Sequence, residues 1–292
     1  MIKSFIIKIV QNFIDFSKLN EFPLTDLGDD ASVQMRLKES ALYLTINRPQ
    51  QRNSMTQQVM ELLGHGMVLA EVNPHVKVVV IEGQGDKAFC AGADLGGNSM
   101  MSSTGDSMMI KQHEAKGQLP LLFDKMWNLG KPIVAKVRGY AVAGGFGLAL
   151  ACDFIVAADN AVFGATEVKV GLWPFMITVP ILRSIPVKLA LELMMTGRRI
   201  DASEAQGLGF INRLCKLEDI DKTLEEFIGP LKQAPPVAVR FGKKSFYAVE
   251  HMDYQKALML LQSYLSVVSY SRDAAEGISA FIDKRDPEFY GY

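Results

Sequence analysis

Cysteine, histidine and tryptophan are scarce in this chain, at 3, 4 and 2 of its 292 residues. Cys90, Cys152 and Cys215 lie far apart and form no C-x-x-C pair, which argues against a disulfide framework or a zinc site and leads us to expect a reducing, cytoplasmic compartment. His65, His75, His113 and His251 have neither metal-ligand spacing nor a neighbouring nucleophile motif, so no metal is expected and none of the four is assigned to catalysis. No G-x-S-x-G elbow is present, which argues against a serine hydrolase. Neither charge is in excess: 31 basic residues stand against 32 acidic ones, for a net charge of -1. That balance offers nucleic acid no basic face, and no nucleic-acid partner is expected. A run of about 18 apolar residues is also missing, so no membrane span is expected.

What is present suits a globular protein with a large core: 49% hydrophobic and 22% charged residues. Residues 1–30 form an N-terminal extension. Its first part, Met1 to Phe16, is mostly apolar but carries Lys3, Lys8 and Asp15 and lacks a small-residue cleavage site, which makes it a poor signal peptide. Ile2, Phe5, Ile6, Ile9, Phe13 and Phe16 recur at helical spacing. The expectation is a helix packed on its own domain or on a neighbouring subunit, with a membrane-surface helix as the alternative.

Alternating apolar residues over Val33–Leu37 and Leu42–Ile46 predict a β-hairpin, ended by Asn47-Arg48-Pro49. A helix over Met55–Val72 and a buried strand over Val76–Ile81 follow. Gly92 to Gly117, rich in Gly, Ser and Met, is expected to be a loop or mobile helix over a site. Beyond it come a helix over Gln118–Leu129, strands over Ile133–Val137 and Phe154–Ala158, and between them a short helix over Gly147–Cys152. Helical patterns dominate from Pro174 onward, and the strands fall away. Strands first and helices last suggest an α/β core over 31–230 and a helical C-terminal region over 231–292.

The chemistry is concentrated in two small-residue segments. In Ala135–Asp153, a strand runs into Gly139, Ala143, Gly144, Gly145 and Gly147 and then directly into a helix. Such a turn lets a ligand approach bare main chain, where free amides suit a phosphate or a developing oxyanion. A dinucleotide-binding turn uses the same ingredients, but G-x-G-x-x-G fails on Gly145–Leu150, where Leu150 stands in place of the last glycine. The second segment is Phe89-Cys90-Ala91-Gly92-Ala93-Asp94-Leu95.

Together, at this spacing, the two segments resemble the crotonase (enoyl-CoA hydratase/isomerase) superfamily, whose pattern is F-x-A-G-A-D-L followed by G-Y-A-x-x-G-G-x-x-L-A-x-x-C-D. Asn47-Arg48-Pro49, Phe163–Glu167 with Gly171, Met194–Gly197, Ala202–Gly209 and Phe281–Arg285 extend the resemblance over residues 33–289. It implies a crotonase-like ββα spiral core whose C-terminal helices serve oligomerisation, in a homotrimer or a dimer of trimers. The implied partner is an acyl-CoA substrate, with no cofactor beyond the coenzyme A that the substrate carries.

Residue by residue, the resemblance implies an oxyanion hole made by the amides of Ala93 and Gly144, and Glu167 as the base. Glu167 sits among Val162, Phe163, Val168, Val170, Leu172 and Trp173, apolar neighbours that raise a carboxylate's pKa. For an arbitrary glutamate, a helix cap or a surface ion pair would be the alternative. Arg52, Ala91, Asp94, Leu95, Gly145, Trp173, Phe281 and Lys284 fall where the family holds CoA and the acyl group. Met100, Met101, Met108 and Met109 could cover an acyl pocket or simply fill core.

One departure matters. Hydratase members carry a second glutamate three places after the oxyanion glycine, and here Gly147 stands there. A single base favours moving a double bond over adding water, and Gly147→Glu is expected to restore hydration. Asp94, Asp106 and Glu114 are the other candidates for a second carboxylate, with solvated or helix-capping roles as their alternative. Hydration is therefore the alternative activity, and a non-catalytic acyl-CoA-binding scaffold on the same fold the alternative of another class.

Overall fold

The computed structural model describes residues 31–94 and 117–291. The N-terminal extension, most of the expected loop over the site, Leu95, the four methionines between 100 and 109, Asp106, His113 and Glu114 lie outside the described residues.

The hairpin is there: β1 (Val33–Lys38) pairs antiparallel with β2 (Ala41–Ile46). Then α1 (Gln57–Val72) starts at Thr56, whose hydroxyl accepts from the Val59 amide and caps the first turn. From there the chain repeats one unit. A long strand is followed by a short one and then a helix: β3 (Val78–Gly83), β4 (Ala88–Cys90) and α2 (Gln118–Asn128); β5 (Ile133–Val137), β6 (Tyr140–Val142) and α3 (Gly144–Leu150); β7 (Phe154–Ala158), β8 (Val162–Gly164) and α4 (Thr178–Ser184). The long strands, with the short β10 at one edge, join a sheet ordered β1-β2-β3-β5-β7-β10, and the other short ones a second sheet ordered β4-β6-β8-β9. The ββα spiral implied by the sequence is this alternation.

After α4 come α5 (Val187–Thr196), β9 (Ile200–Asp201), α6 (Ala202–Gly207), β10 (Arg213–Cys215) and α7 (Ile220–Gln233). Three C-terminal helices follow: α8 (Pro236–Val249), α9 (Tyr254–Ser269) and α10 (Arg272–Asp283). Helices do dominate after Pro174, but the expectation located neither of the two strands that remain there, β9 and β10. They have two and three residues, too short for period-2 alternation to show. The same brevity hid β4 and β6.

Strands β3, β5 and β7 are buried on both faces, which is why they read as largely apolar runs. Val79, Ile81, Ile133, Ala135, Ile155 and Ala157 turn into the main core, while Val78, Val80, Val134, Val156 and Ala158 meet Ile220, Leu224 and Ile228 of α7 on the other side. A polar row crosses the first sheet in register. Glu82, opposite Thr45 and Lys136, accepts from the Thr45 hydroxyl at 3.0 Å and from the Lys136 ammonium at 2.8 Å.

Asp153, just beyond α3, ties α8 to the core. Its carboxylate accepts from the Ile133 amide and the Lys243 ammonium, both at 2.7 Å, and from the Tyr247 hydroxyl at 2.5 Å. Lys243 and Asp153 side chains are 9% and 10% exposed. Removing one partner of such a pair leaves the other charge buried and alone. We therefore expect Asp153→Ala to cost about 3–5 kcal/mol in urea unfolding; a loss below about 1 kcal/mol would mean that α8 is held by its apolar contacts instead.

Candidate active site

Three successive parallel strands of the second sheet end side by side. Val142 of β6 is in register with Gly164 of β8, and Ala88 of β4 with Tyr140 of β6. Ala93, Gly144 and Glu167 follow the ends of β4, β6 and β8 within three residues. Neighbouring strands lie about 4.8 Å apart, so the three groups share one strand-end crevice, where open α/β sheets place ligands.

The turn before α3 is built to expose an amide. Ala143 has φ 50 and ψ −131, a conformation that side chains other than glycine's rarely take. It is held there on both sides: its amide donates to Gly164 O at 2.8 Å, and its carbonyl accepts from the Phe146 and Gly147 amides. The helix consequently begins at Gly144, three residues earlier than expected, because a glycine run conceals a helix start that the Ala143 turn enforces. Among the described residues, neither the Gly144 amide nor that of Ala93 has an acceptor.

The two amides come together through backbone contact. A Cβ on Gly144 would lie 2.9 Å from Met55 Cε, 3.6 Å from Gly92 Cα and 3.7 Å from Ala93 N. One on Gly92, at φ +92, would sit 2.8 Å from Ala143 Cβ and 3.2 Å from Gly144 N, and one on Gly145 would collide with Cys90 O. The Ala93 loop is pinned by its neighbours: Met55 N donates to Gly92 O at 2.8 Å and Asp94 N to Met55 O at 3.0 Å. The Asp94 carboxylate accepts from Arg48 at 2.7 Å, and Arg48 also donates to the Ser54 carbonyl and hydroxyl. Arg48 and buried Asn53 were missed as functional residues. The signal for Arg48 was the Asn47-Arg48-Pro49 triplet, which does more than end the hairpin; Asn53 lay outside it.

Glu167 opens a short 3-10 turn, Glu167–Val170, closed by Gly171 at φ 76. One carboxylate oxygen, Oε2, is buried and has no partner among the described residues. Burial raises the pKa to about 7, opposed by a hydrogen bond from its own backbone. A base near neutrality beside two free amides can remove a proton α to a carbonyl whose oxygen the amides hold.

Ile177, which sequence reasoning also missed, bears on one expectation. A Cβ on Gly147 would overlap Ile177 Cγ2 and sit 2.5 Å from Ile177 Cβ, so a glutamate at 147 needs Ile177 to shift. The remaining sequence-derived residues are dispersed. Arg52, in left-handed conformation at φ 52, accepts through its carbonyl from the Ala91 amide at 3.1 Å. Trp173 is half-buried against the main core. Phe281 and Lys284 lie at the end of α10, where Phe281 is exposed and Lys284 takes a left-handed cap, so that their link to CoA rests on the resemblance. Among the described residues, no group of three or more His, Cys, Asp or Glu is placed to hold a metal, and no helix is long and apolar enough to cross a membrane.

Comparison with known proteins identifies the family. The family model described as Enoyl-CoA hydratase/isomerase matches residues 36–291. Carnitinyl-CoA dehydratase of Escherichia coli K12 is 33% identical over 277 residues, covering 89% of this chain and 98% of the relative. (E)-benzylidenesuccinyl-CoA hydratase of Thauera aromatica is 31% identical over 260 residues, covering 89% and 99%. Among solved structures, an enoyl-CoA hydratase of Mycobacterium smegmatis aligns with a TM-score of 0.82 at 30% identity, over 89% of this chain and 99% of that one.

Two outcomes follow. Gly92→Ala puts a methyl group against the Gly144 amide at a φ that disfavours it, and losing one such donor costs about a hundredfold or more, so thioester turnover should fall by at least that much. Circular dichroism checks that the variant folds; near-normal turnover would show that the amides are not used. The second outcome concerns stability. The folded protein holds the Glu167 proton up to about pH 7, the unfolded chain only to its ordinary value of 4.5. The stability tied to that proton is therefore full below the unfolded value and lost as pH rises through about 7. Glu167→Gln, which cannot ionise, should gain stability relative to the parent as pH rises across that window in thermal melts; a constant difference would mean that Glu167 is not desolvated.

Proposed function

The chain belongs to the enoyl-CoA hydratase/isomerase family, and on that premise we propose that it moves a carbon–carbon double bond within an enoyl-CoA thioester. Glu167 takes a proton from C2, the negative charge passes to the thioester oxygen held by the amides of Ala93 and Gly144, and Glu167 returns the proton to C4. The double bond then lies between C2 and C3, and the base ends as it began. A carboxylate with a pKa of about 7 suits both halves of that transfer. The single observation that carries this reading is the place of the second carboxylate, held by Gly147 and covered by Ile177.

Hydration of a 2-enoyl-CoA is the second reading, favoured by the names of the relatives, which are hydratases and dehydratases. It would draw a second carboxylate from Asp106 or Glu114, outside the described residues. A non-catalytic binder has no use for an unpartnered, desolvated carboxylate beside two free amides. We also propose that CoA and the acyl group are held by Arg52, Ala91, Asp94, Leu95, Gly145, Trp173, Phe281 and Lys284, with no further cofactor. Apolar side chains exposed on the C-terminal helices, among them Leu258, Met259, Leu265 and Ile278, support assembly as a homotrimer or a dimer of trimers. Free cysteines fit a cytoplasmic setting.

Incubation with 2-enoyl-CoA and 3-enoyl-CoA of several lengths, with products resolved by mass and retention time, tests the reading. The 3-enoyl-CoA should be isomerised faster than the 2-enoyl-CoA is hydrated, with kcat/KM rising through about pH 7 to a plateau. Glu167→Gln should lower turnover by about a hundredfold to ten-thousandfold while acyl-CoA affinity persists. Hydration as fast as isomerisation in the unmodified chain would sink the one-base reading; a fall of less than about tenfold in the variant would place the base elsewhere.

A further inference from the structure

In an α-helix each Cα–Cβ bond tilts toward the N-terminus, so a side chain on Gly147 of α3 would lean back over the turn that presents the Gly144 amide. That space is filled from another element. Ile177, at the start of α4 and 2% exposed, puts its Cβ and Cγ2 where the residue-147 side chain would begin, while its Cα stays 3.4 Å away from that Cβ position. Ile177 and Glu167 come from the same β8–α4 segment, so one stretch of chain supplies both the base and the apolar group beside the helix turn.

We propose that Ile177 is the specificity-determining residue of this site: its side chain is an apolar plug that replaces a water-activating group on α3, and the Gly147–Ile177 contact is what restricts the enzyme to proton transfer. The inference rests on the isomerase reading. Hydration requires the oxygen of water to bond to C3 of a 2-enoyl-CoA while one carboxylate takes a proton from that water and another, protonated, delivers one to C2. The net change is addition of one water, with one proton exchanged between the two acids. Gly147 removes the acceptor, and an isoleucine where the residue-147 side chain would begin leaves an apolar wall there, whereas a held water needs polar partners.

The geometry dictates the test. Ile177→Ala would keep a Cβ within 2.5 Å of the Cβ of any residue at 147, whereas Ile177→Gly leaves the 3.4 Å contact as the nearest. The double variant Gly147→Glu/Ile177→Gly should therefore hydrate 2-enoyl-CoA at least about tenfold faster than the unmodified chain, a modest share of what a positioned acid or base contributes. Gly147→Glu alone should show no such gain. Equal hydration by the single and double variants, or a folded double variant that isomerises 3-enoyl-CoA but gains no hydration, would overturn the proposal.

Should the double variant fail to fold, Ile177→Gly alone decides. Opening the plug to water should raise the deuterium incorporated during isomerisation in D2O by at least about threefold, because a dry site returns the proton it removed. Unchanged incorporation would overturn the proposal. The isomerase reading fails separately, in the unmodified chain, through hydration that matches isomerisation.

Discussion

The backbone-to-backbone approach of two strand-end loops is the constraint on which the site depends. Gly145 lies against Cys90 O and Gly92 against Gly144 N, closer than any side chain permits. That approach fixes the separation of the two donor amides, and the strands behind them are parallel neighbours whose spacing cannot drift. A pair of donors made of main chain is rigid for this reason: the amides move only if the sheet moves. Preorganisation of this sort contributes to catalysis because no reorientation is required when charge develops.

Two polar clusters hold the parts that the sheet alone does not. Arg48 grips Asp94 and Ser54 on one side of the Ala93 loop, and the Asn53 side chain accepts from the Arg48 amide while donating to Gln84 O and Ala88 O, around the start of β4. At the far end of α3, Asp153 gathers the Ile133 amide, Lys243 and Tyr247. The short helix is thereby fixed at both ends, by the strained Ala143 turn before it and the Asp153 cluster after it. Strain at Ala143 persists because the three hydrogen bonds through its amide and carbonyl leave the residue no alternative.

Much of this was legible in the sequence, for different reasons. Strands β3, β5 and β7 announced themselves as apolar runs because both faces are buried. Ile133–Val137 and Phe154–Ala158 were read at the bounds that the structure gives them. The paired amides of Ala93 and Gly144 leave no side chain to read, and only the small residues around them, in family register, pointed there. What stayed hidden depends on distance in sequence. Ile177 meets Gly147 across thirty positions, Arg48 meets Asp94 across forty-six and Lys243 meets Asp153 across ninety. No periodicity encodes such pairings, and an isoleucine in an apolar segment looks like any other core residue. Short strands were lost for a plainer reason, since three residues cannot display a period.

Dryness is the property that would join Glu167 to the proposed reaction. A carboxylate whose buried oxygen has no donor is lifted toward neutrality because its charged form is poorly solvated. Water close enough to donate to that oxygen would lower the pKa again and would also stand ready to add to the substrate. The two consequences cannot be separated. A site that uses one glutamate to take a proton and give it back gains from a pKa near neutrality, because neither half of the transfer is then far uphill. On the proposed reading, an apolar Ile177 beside the place a second acid on α3 would take serves both ends: it keeps Glu167 a balanced acid and base, and it removes the water that would otherwise add to C3 of the 2-enoyl product.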